Sequence, residues 1–227
     1  MTLLWLAAIA FVGTHFLLSH PLRAPLVRAV GEGAFTGIYS LVAAATLAWI
    51  IIAYRAAPTD GLWWPVGDGL WGLVSALMLI ASVLLVGSLV GNPALPKPAG
   101  ARTAPGTARG VFAVTRHPMM WAFAIWGVAH ILVYPITKTL VVAAAMIVLS
   151  LVGAALQDGK KARLQPEVWS GWVRQTSYVP FAAIFAGRAR LGEFGVIALV
   201  GGLVLWVVAT WAHIPLSGWH AGVWRWL

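Results

Sequence analysis

The chain of 227 residues carries a formal net charge of +9, yet 61% of its residues are hydrophobic and only 9% are charged. A soluble domain could not bury that much apolar surface, so these proportions predict a membrane protein. The chain has no cysteine, which excludes disulfides, thiolate metal sites and cysteine nucleophiles. It has 14 tryptophans, many of them near the ends of apolar runs, where amphipathic rings favour the membrane interface.

Six apolar runs approach the length of about 20 helical residues that a bilayer core about 30 Å thick requires. The first lacks a basic segment before it and a small-residue cleavage site after it, so we expect a retained helix rather than a signal peptide. We therefore expect an all-α polytopic bundle of about six transmembrane helices, forming a single domain over residues 1–227. The runs are 2–20, 35–54, 69–91, 118–134, 137–156 and 193–213.

The short connection between the fourth and fifth runs is Tyr134-Pro135-Ile136, a proline-marked turn. Two apolar helices joined by so short a turn are expected to form a tight antiparallel hairpin. The fourth and fifth helices are therefore predicted to be neighbours in space.

Basic residues are concentrated in the connections on one side of these runs. Twelve Lys and Arg residues follow the first run or precede the fourth and sixth, and three lie on the other side. The positive-inside rule places the richer side in the cytoplasm and both termini outside. It also explains the net charge without a nucleic-acid partner and leaves membrane lipids as the expected surroundings. The twelve are Arg23, Arg28, Lys97, Arg102, Arg109, Arg116, Lys160, Lys161, Arg163, Arg174, Arg188 and Arg190, and the three are Arg55, Lys138 and Arg225.

Two connections differ in character. Residues 91–115 are rich in Pro, Gly and Ala without apolar periodicity, so we expect a connection without a core of its own. Residues 157–192 mix Trp169, Trp172, Val173 and Tyr178 with basic residues. This mixture predicts an amphipathic segment lying on anionic lipid headgroups at the interface.

Histidine is the ionisable residue inside the apolar runs, because the six acidic residues are expected in loops or at helix ends. His15 and His130 lie too deep to be interface residues, and an ionisable group at that depth is a functional candidate. The alternative for each is a neutral imidazole that donates to a carbonyl of a neighbouring helix. His20 and His220 are expected in solvent and His213 at the interface.

Two deep histidines without thiols or carboxylates suit a haem iron better than zinc, which needs a third or fourth protein ligand. The pair His15 and His130 is therefore a candidate set of metal ligands. The neighbouring Gly13, Gly127 and Ala129 are small enough to let a flat macrocycle approach the backbone, although small residues also serve helix packing.

The motif Arg116-His117-Pro118 opens the fourth run, with proline in the favoured first turn of a helix. Arg116 and His117 could bind a phosphate or carboxylate at the positive end of the helix dipole. The alternative is a helix cap with an arginine that sets topology. Since His15 and His130 differ in expected depth, His15 with His117 is a competing ligand pair.

Several stretches, in chain order, resemble the NnrU family of bacterial membrane proteins, which is related to zeta-carotene isomerase. They run through most of the chain, and each of them is short. They are Thr14-His15-Phe16-Leu17-Leu18-Ser19 with Arg23, Gly31-Glu32-Gly33-Ala34-Phe35 with Tyr39-Ser40-Leu41, Thr115-Arg116-His117-Pro118-Met119-Met120 with Trp126 and Ala129-His130, Gln157-Asp158 with Lys160-Lys161, and Trp169 with Thr176-Ser177-Tyr178-Val179-Pro180-Phe181.

The resemblance implies a bacterial inner-membrane protein with b-type haem held by the residues that match the family's histidines, His15 and His130. In the isomerase a redox change of the iron permits cis-to-trans isomerisation of a carotenoid. The family name implies a link to nitric oxide and nitrite metabolism. The chain departs from the isomerase where Tyr54-Arg55 replaces a histidine, where Gly127 replaces a cysteine, and around Gly153-Ala154-Ala155, where a histidine has no counterpart.

Two other functions remain open from the sequence. Arg116-His117-Pro118 also resembles the start of a helix in membrane methyltransferases, where it helps to bind S-adenosylmethionine, although Gln157-Asp158 stands where those enzymes carry paired glutamates. A haem sensor or assembly factor without enzymatic activity would need the histidine pair alone. For an enzyme, the apolar interior would suit a hydrophobic small molecule such as a carotenoid, a quinone or an acyl chain.

Overall fold

The computed structural model describes residues 1–95 and 106–227, and it is helical with no strand in those ranges. Five helices (α1, α2, α3, α6 and α9) are long and apolar enough to cross a membrane, and α5 is an apolar helix of 16 residues. The predicted all-α bundle of about six apolar helices is confirmed. The elements are α1 (Thr2–Ser19), α2 (Arg23–Ala56), α3 (Asp68–Gly87), α4 (Val111–Val114), α5 (Pro118–Val133), α6 (Thr137–Leu164), α7 (Pro166–Gln175), α8 (Ala182–Phe185), α9 (Val196–Ser217) and a 3₁₀ turn, Gly222–Arg225.

Two helices extend well beyond the apolar runs that predicted them. Helix α2 begins at Arg23 rather than near residue 35, with a break at Gly31, whose φ is +81°. Helix α6 continues past residue 156 to Leu164. Hydropathy reports the apolar part of a helix, whereas polar residues with good helix propensity continue the helix beyond it. The expectation that every acidic residue lies in a loop or at a helix end was therefore wrong for Asp158, whereas Glu32 follows the break at Gly31.

The six apolar helices pack in the order α2, α1, α6, α5, α3, α9, each against the next. Helices α1 and α6 run parallel, and α5 runs antiparallel to α6, which confirms the predicted hairpin. We call the end at which α5 and α9 begin and α6 ends the basic end, and the other the opposite end. Lys97 and Arg102 lie outside the described residues; the other ten residues of the basic set fall in the connections and helix ends at the basic end.

The described parts of the connection 91–115 pack into a core that they share with α3, α5 and α7, which is consistent with the predicted lack of a core of their own. Its apolar residues form one cluster with the two tryptophans of α7, which are 2% and 3% exposed. Helix α7 is amphipathic as predicted, but its tryptophan face covers this cluster rather than lying on lipid headgroups. The single turn of α4 is too short to show a helical period in the sequence. The cluster includes Ala94, Ala108, Val111, Phe112, Val114, Trp169 and Trp172.

At the opposite end, Asp60 fixes the loop before α3 to the start of α6. Its carboxylate accepts hydrogen bonds from the Thr137 hydroxyl (2.5 Å) and backbone N–H (3.0 Å) and from Trp63 Nε1 (3.1 Å). The bond from the Thr137 hydroxyl is the main reason that the pKa of Asp60 falls to about 2. Asp60 is therefore ionised at any physiological pH and holds the α5–α6 turn in place.

Glycine lets α3 and α9 approach closely. A β-carbon at Gly202 of α9 would lie 2.7 Å from the Val83 Cα of α3, so that one of the two backbones would have to move. Gly72, in α3, faces open space. We expect Gly202→Ala to lower the free energy of unfolding by about 1–3 kcal/mol through overpacking. Gly72→Ala, the matched control, should be neutral or stabilising by up to about 1 kcal/mol because alanine favours the helix. Thermal unfolding in detergent measures both; equal effects would contradict the close α3–α9 contact.

Candidate functional site

A buried polar cluster at the basic end joins two of the predicted site residues. The Asp158 carboxylate accepts hydrogen bonds from Arg116 Nε (2.8 Å) and from His117 Nε2 (2.7 Å), and it forms an ion pair with Arg116 Nη2 (2.7 Å). Because a carboxylate accepts, Nε2 of His117 carries a proton. The His117 side chain is 1% exposed. The structure thus brings Arg116 and His117 together, and their shared partner is an internal carboxylate.

The segment after α7 closes this cluster from a third direction. The Arg116 backbone N–H donates to Ser177 O (2.8 Å), and the Thr115 hydroxyl donates to Tyr178 O (2.7 Å). The Tyr178 hydroxyl donates to Leu151 O of α6 (2.7 Å), and burial together with the nearby Asp158 charge raises the pKa of Tyr178. Three separate sequence motifs, 115–118, 157–158 and 176–181, therefore meet at one place.

Sequence reasoning missed Asp158 and Tyr178 as members of this cluster. The fifth apolar run ends at residue 156, so the sequence predicts Asp158 in the connection after the helix. In the structure Asp158 lies about one and a half turns before the end of α6. A signal was present, since both residues belong to the motifs that resemble the NnrU family. With its arginine neutralised and its imidazole buried, the cluster is suited to locking α5, α6 and residues 176–181 together.

Three histidines in the apolar helices share a hydrogen-bonding pattern. His15 Nδ1 lies 2.6 Å from Phe11 O, His130 Nδ1 lies 2.8 Å from Trp126 O, and His213 Nδ1 lies 2.7 Å from Ala209 O, each four residues earlier. A carbonyl oxygen accepts only, so Nδ1 is the protonated nitrogen in each neutral ring. Nε2 of each ring keeps its lone pair, the arrangement found in metal-ligating histidines whose other nitrogen is held by a carbonyl.

His15 and His130 have different neighbours. The His15 ring contacts the rings of Phe11 and Tyr39, at centroid distances of 4.4 and 5.6 Å. The His130 ring contacts Trp126 at 4.2 Å and His213 at 6.1 Å. His213 of α9 and His130 of α5 are thus neighbours, and the interface position expected for His213 stays a prediction.

The structure also separates His15 and His130 in depth. Phe16, next to His15, faces Gly153 of α6, whereas Gly127, three residues before His130, faces residues 143 and 147 of the same helix. The backbones at the two histidines thus lie at different depths along α6. Each imidazole leans toward the start of its own helix, and so toward the depth of the other. The competing partner of His15, His117, is engaged with Asp158.

The remaining histidines lie at helix ends. His20 Nδ1 lies 2.8 Å from the Ser19 hydroxyl, and its Nε2 is shielded from solvent without a hydrogen-bond partner, so the expectation that His20 is solvated was wrong. His220 is exposed, as expected. In the ranges 1–95 and 106–227, no group of three or more His, Asp or Glu side chains converges as a metal site.

This architecture, a row of apolar helices that pack side by side, defines a multi-pass helical membrane protein. Its sequence matches the model of one family, described as NnrU protein, over residues 3–221. The chain belongs to the NnrU family. The predicted resemblance is thereby confirmed over nearly the whole chain.

One curated relative is the 15-cis-zeta-carotene isomerase, chloroplastic, of Arabidopsis thaliana. It is 36% identical over 84 residues, which are 37% of this chain and 23% of the relative. The match therefore spans less than a quarter of that protein. No solved structure matches the chain.

The Asp158 cluster makes a prediction about stability. Replacing Asp158 by Asn leaves the Arg116 guanidinium, whose side chain is 13% exposed, without its counter-charge. We expect the free energy of unfolding to fall by roughly 2–4 kcal/mol, near the range for broken buried pairs. Asp68→Asn is the matched control, since Asp68 pairs with Arg225 but is 72% exposed and its loss should cost at most about 1 kcal/mol. Thermal unfolding in detergent compares them, and a control as damaging as Asp158→Asn would argue against a buried lock.

Proposed function

We propose that this chain is a bacterial inner-membrane haem protein that acts in redox-linked isomerisation of a lipophilic polyene. The observation that carries the proposal is the shared state of the histidines in the apolar helices, each with Nδ1 held by its own helix and Nε2 left with a lone pair. Imidazole of this kind is a common axial ligand of b-type haem. We assign His130 as one ligand, since it lies inside the bundle on a core helix.

Haem, when bound, would supply an iron whose charge changes with its redox state. The residues of this chain would orient it and keep water away. The carbonyl of Trp126 fixes the His130 tautomer, and the Trp126 ring covers one side of the imidazole. Such surroundings tune a ligand's basicity and the polarity of a metal site.

A cis-to-trans isomerisation suits the chemistry that the bundle offers. It moves no atom between molecules and needs no pair of carboxylates for acid and base work. Between Asp68 and Asp158 the sequence contains no acidic residue, and this stretch includes nearly all of α3, the whole of α5 and most of α6. The named activity of the plant relative supports a polyene as substrate, although the match covers only part of that protein.

The methyltransferase alternative has less support from the structure. Binding S-adenosylmethionine through Arg116 and His117 would require both groups to face a ligand. Asp158 instead neutralises the guanidinium and holds the imidazole, which is buried. The Arg116-His117-Pro118 motif therefore serves to hold the start of α5 against α6.

The haem assignment predicts a spectrum. Protein purified in detergent after expression with ample haem should show a b-type spectrum, oxidised and dithionite-reduced, and near-stoichiometric haem by pyridine haemochrome. His130→Ala should lower haem retention by about tenfold or more, because loss of a ligand is at least as costly as loss of its outer partners. His117→Ala and the exposed His220→Ala should retain haem. A wild-type protein without haem under these conditions would refute the proposal.

The reaction is tested separately. Haem-loaded protein, in the oxidised and in the reduced state, is incubated with 15-cis-zeta-carotene in detergent, and the isomers are separated by chromatography. Conversion in one redox state alone is expected. Haem binding without conversion, together with spectral changes on adding nitric oxide, would instead point to a sensor or to nitric oxide metabolism.

The basic end is predicted to lie in the cytoplasm and the termini outside. Alkaline phosphatase fused after Leu227 should be active, and fused after Gly192, in the connection before α9, inactive. Green fluorescent protein fusions at the same points should show the reverse. Matching activity at both points would contradict this orientation.

A further inference from the structure

A cavity of about 650 Å³ lies at the basic end, and no residue of the Asp158 cluster lines it. Its walls come from residues 107–109, from Gln175 at the end of α7 and from the loop 187–195 that precedes α9. Cavities of about 300–1,000 Å³ hold small ligands. Since α9 is long and apolar enough to cross the membrane and begins directly after this loop, the cavity lies at the level of the lipid headgroups. We call it the basic cavity.

The charges that line the basic cavity are mostly positive. Arg109, Arg188 and Arg190 line it together with a single acidic residue, Glu193. Among the described residues, no carboxylate forms an ion pair with any of these three arginines. The remaining residues, 96–105, contain no Asp or Glu. The cavity therefore carries three positive charges against one negative charge and suits an anionic ligand.

Hydrogen bonds tie both walls of the basic cavity to the end of α7. On one wall, Arg188 Nη1 donates to three backbone carbonyls, which fixes the loop 187–195. On the other, the Gln175 side chain accepts from one backbone N–H and donates to one carbonyl of the segment before α4. The carbonyls bound by Arg188 are those of Val173 (3.2 Å), Arg174 (3.0 Å) and Thr176 (3.0 Å), and Gln175 binds Ala108 N–H (2.9 Å) and Gly106 O (3.3 Å).

The two walls also touch each other at Gly110. Its φ is +56°, and a β-carbon there would lie 3.2 Å from the backbone oxygen of Glu193. The segment before α4 and the loop before α9 thus approach backbone to backbone. The cavity is therefore built by fixed main chain rather than by side chains alone.

An apolar groove of about 280 Å³ adjoins the basic cavity, and the two share Arg109, Glu193 and Gly195. The groove lies between the end of α3 and the first turn of α9. Val196 and Ile197 of that turn are 75% and 62% exposed, and on a membrane-spanning helix such side chains face lipid. A basic cavity that continues into an apolar groove matches a molecule with an anionic head and an apolar chain.

From these observations we propose that the basic cavity and the apolar groove together bind one anionic phospholipid, its phosphate with Arg109 and Arg190 and an acyl chain between α3 and α9. Arginine binds phosphate oxygens through paired N–H donors, and basic pockets between transmembrane helices bind anionic headgroups. The site goes beyond the proposed function and does not depend on haem. Because α9 ends the row of helices and packs on α3, the bound lipid stabilises that contact.

The test is lipid binding by the purified full-length protein in detergent, measured by native mass spectrometry with phosphatidylglycerol or phosphatidylcholine. Wild type should bind one phosphatidylglycerol in preference to phosphatidylcholine. Arg109→Ala and Arg190→Ala should each weaken phosphatidylglycerol binding about fivefold, because that is the contribution of one basic residue near anionic lipid. The double variant should weaken it about twentyfold. Arg188 stays unchanged, since it holds the end of α7.

Arg28→Ala is the matched control, because Arg28 is an exposed arginine at the same end of the bundle and lines neither the cavity nor the groove. It should leave binding unchanged. Equal affinity for the two lipids, an equal loss in Arg28→Ala, or unaltered binding in the double variant would overturn the site. Displacement of the lipid by millimolar inorganic phosphate would show a site for a free anion and overturn the assignment to a phospholipid.

Thermal unfolding gives an independent measurement of the same site. A ligand that binds the folded state raises the midpoint of unfolding. Phosphatidylglycerol should therefore raise the midpoint of wild type and of Arg28→Ala by the same amount and that of the double variant much less. The midpoints without lipid should agree among the three proteins, which shows that the double variant is folded. Equal stabilisation of all three by phosphatidylglycerol would contradict the proposal.

Discussion

The ion pair and hydrogen bonds of the Asp158 carboxylate, which is 20% exposed among helix ends, are the interactions on which the basic end of the molecule depends. Taking an arginine out of water is costly unless its charge is neutralised and its donors are used. Asp158 meets both needs for Arg116 and also holds the imidazole of His117. Since the two donors stand at the start of α5 and the acceptor stands near the end of α6, one ion pair fixes the relative positions of both helices.

The same constraint, that polar groups must find partners inside the protein, governs the apolar part of the bundle. Each histidine satisfies one ring nitrogen locally, by donating its Nδ1–H to a carbonyl of its own helix. The other nitrogen, Nε2, carries a lone pair, and a carbonyl oxygen has no proton to donate to it. The packing order of the helices decides which imidazoles are neighbours. It brings α5 and α9 together on α3, so that the rings of His130 and His213 lie 6.1 Å apart, and keeps α1 on the far side of α6.

Hydropathy predicted the apolar core of the fold, because six long runs of apolar side chains have few alternatives to membrane helices. The helix ends were predicted poorly. Residues 157–164 are polar but favour helix, so the apolar signal stopped before the helix did and concealed the position of Asp158. The packed connection around Phe112 was missed for a related reason, since a one-turn helix gives too few residues for a periodic pattern.

The individual residues of the candidate site could be predicted from the sequence, but which of them contact one another could not. Arg116, His117 and His130 each stood out from local context, and the structure places all three inside the protein or its core helices. Which residues are neighbours depends on the packing order of helices, and short turns reveal that order only for α5 and α6. The contact between His213 and His130 could not be predicted, because nothing in the sequence shows that α5 and α9 pack on the same helix.

The polar cluster around Asp158 and the histidine His130 lie at different ends of helix α5. The Arg116, His117 and Asp158 cluster fixes the basic end of α5, while His130 lies near its opposite end, about 13 residues or about 20 Å away. Helix α5 is held at one end by an ion pair and packs on both α3 and α6, so its other end is also fixed within the bundle. The role that the geometry gives the polar cluster is therefore mechanical, since it fixes the start of α5 against α6 and residues 176–181.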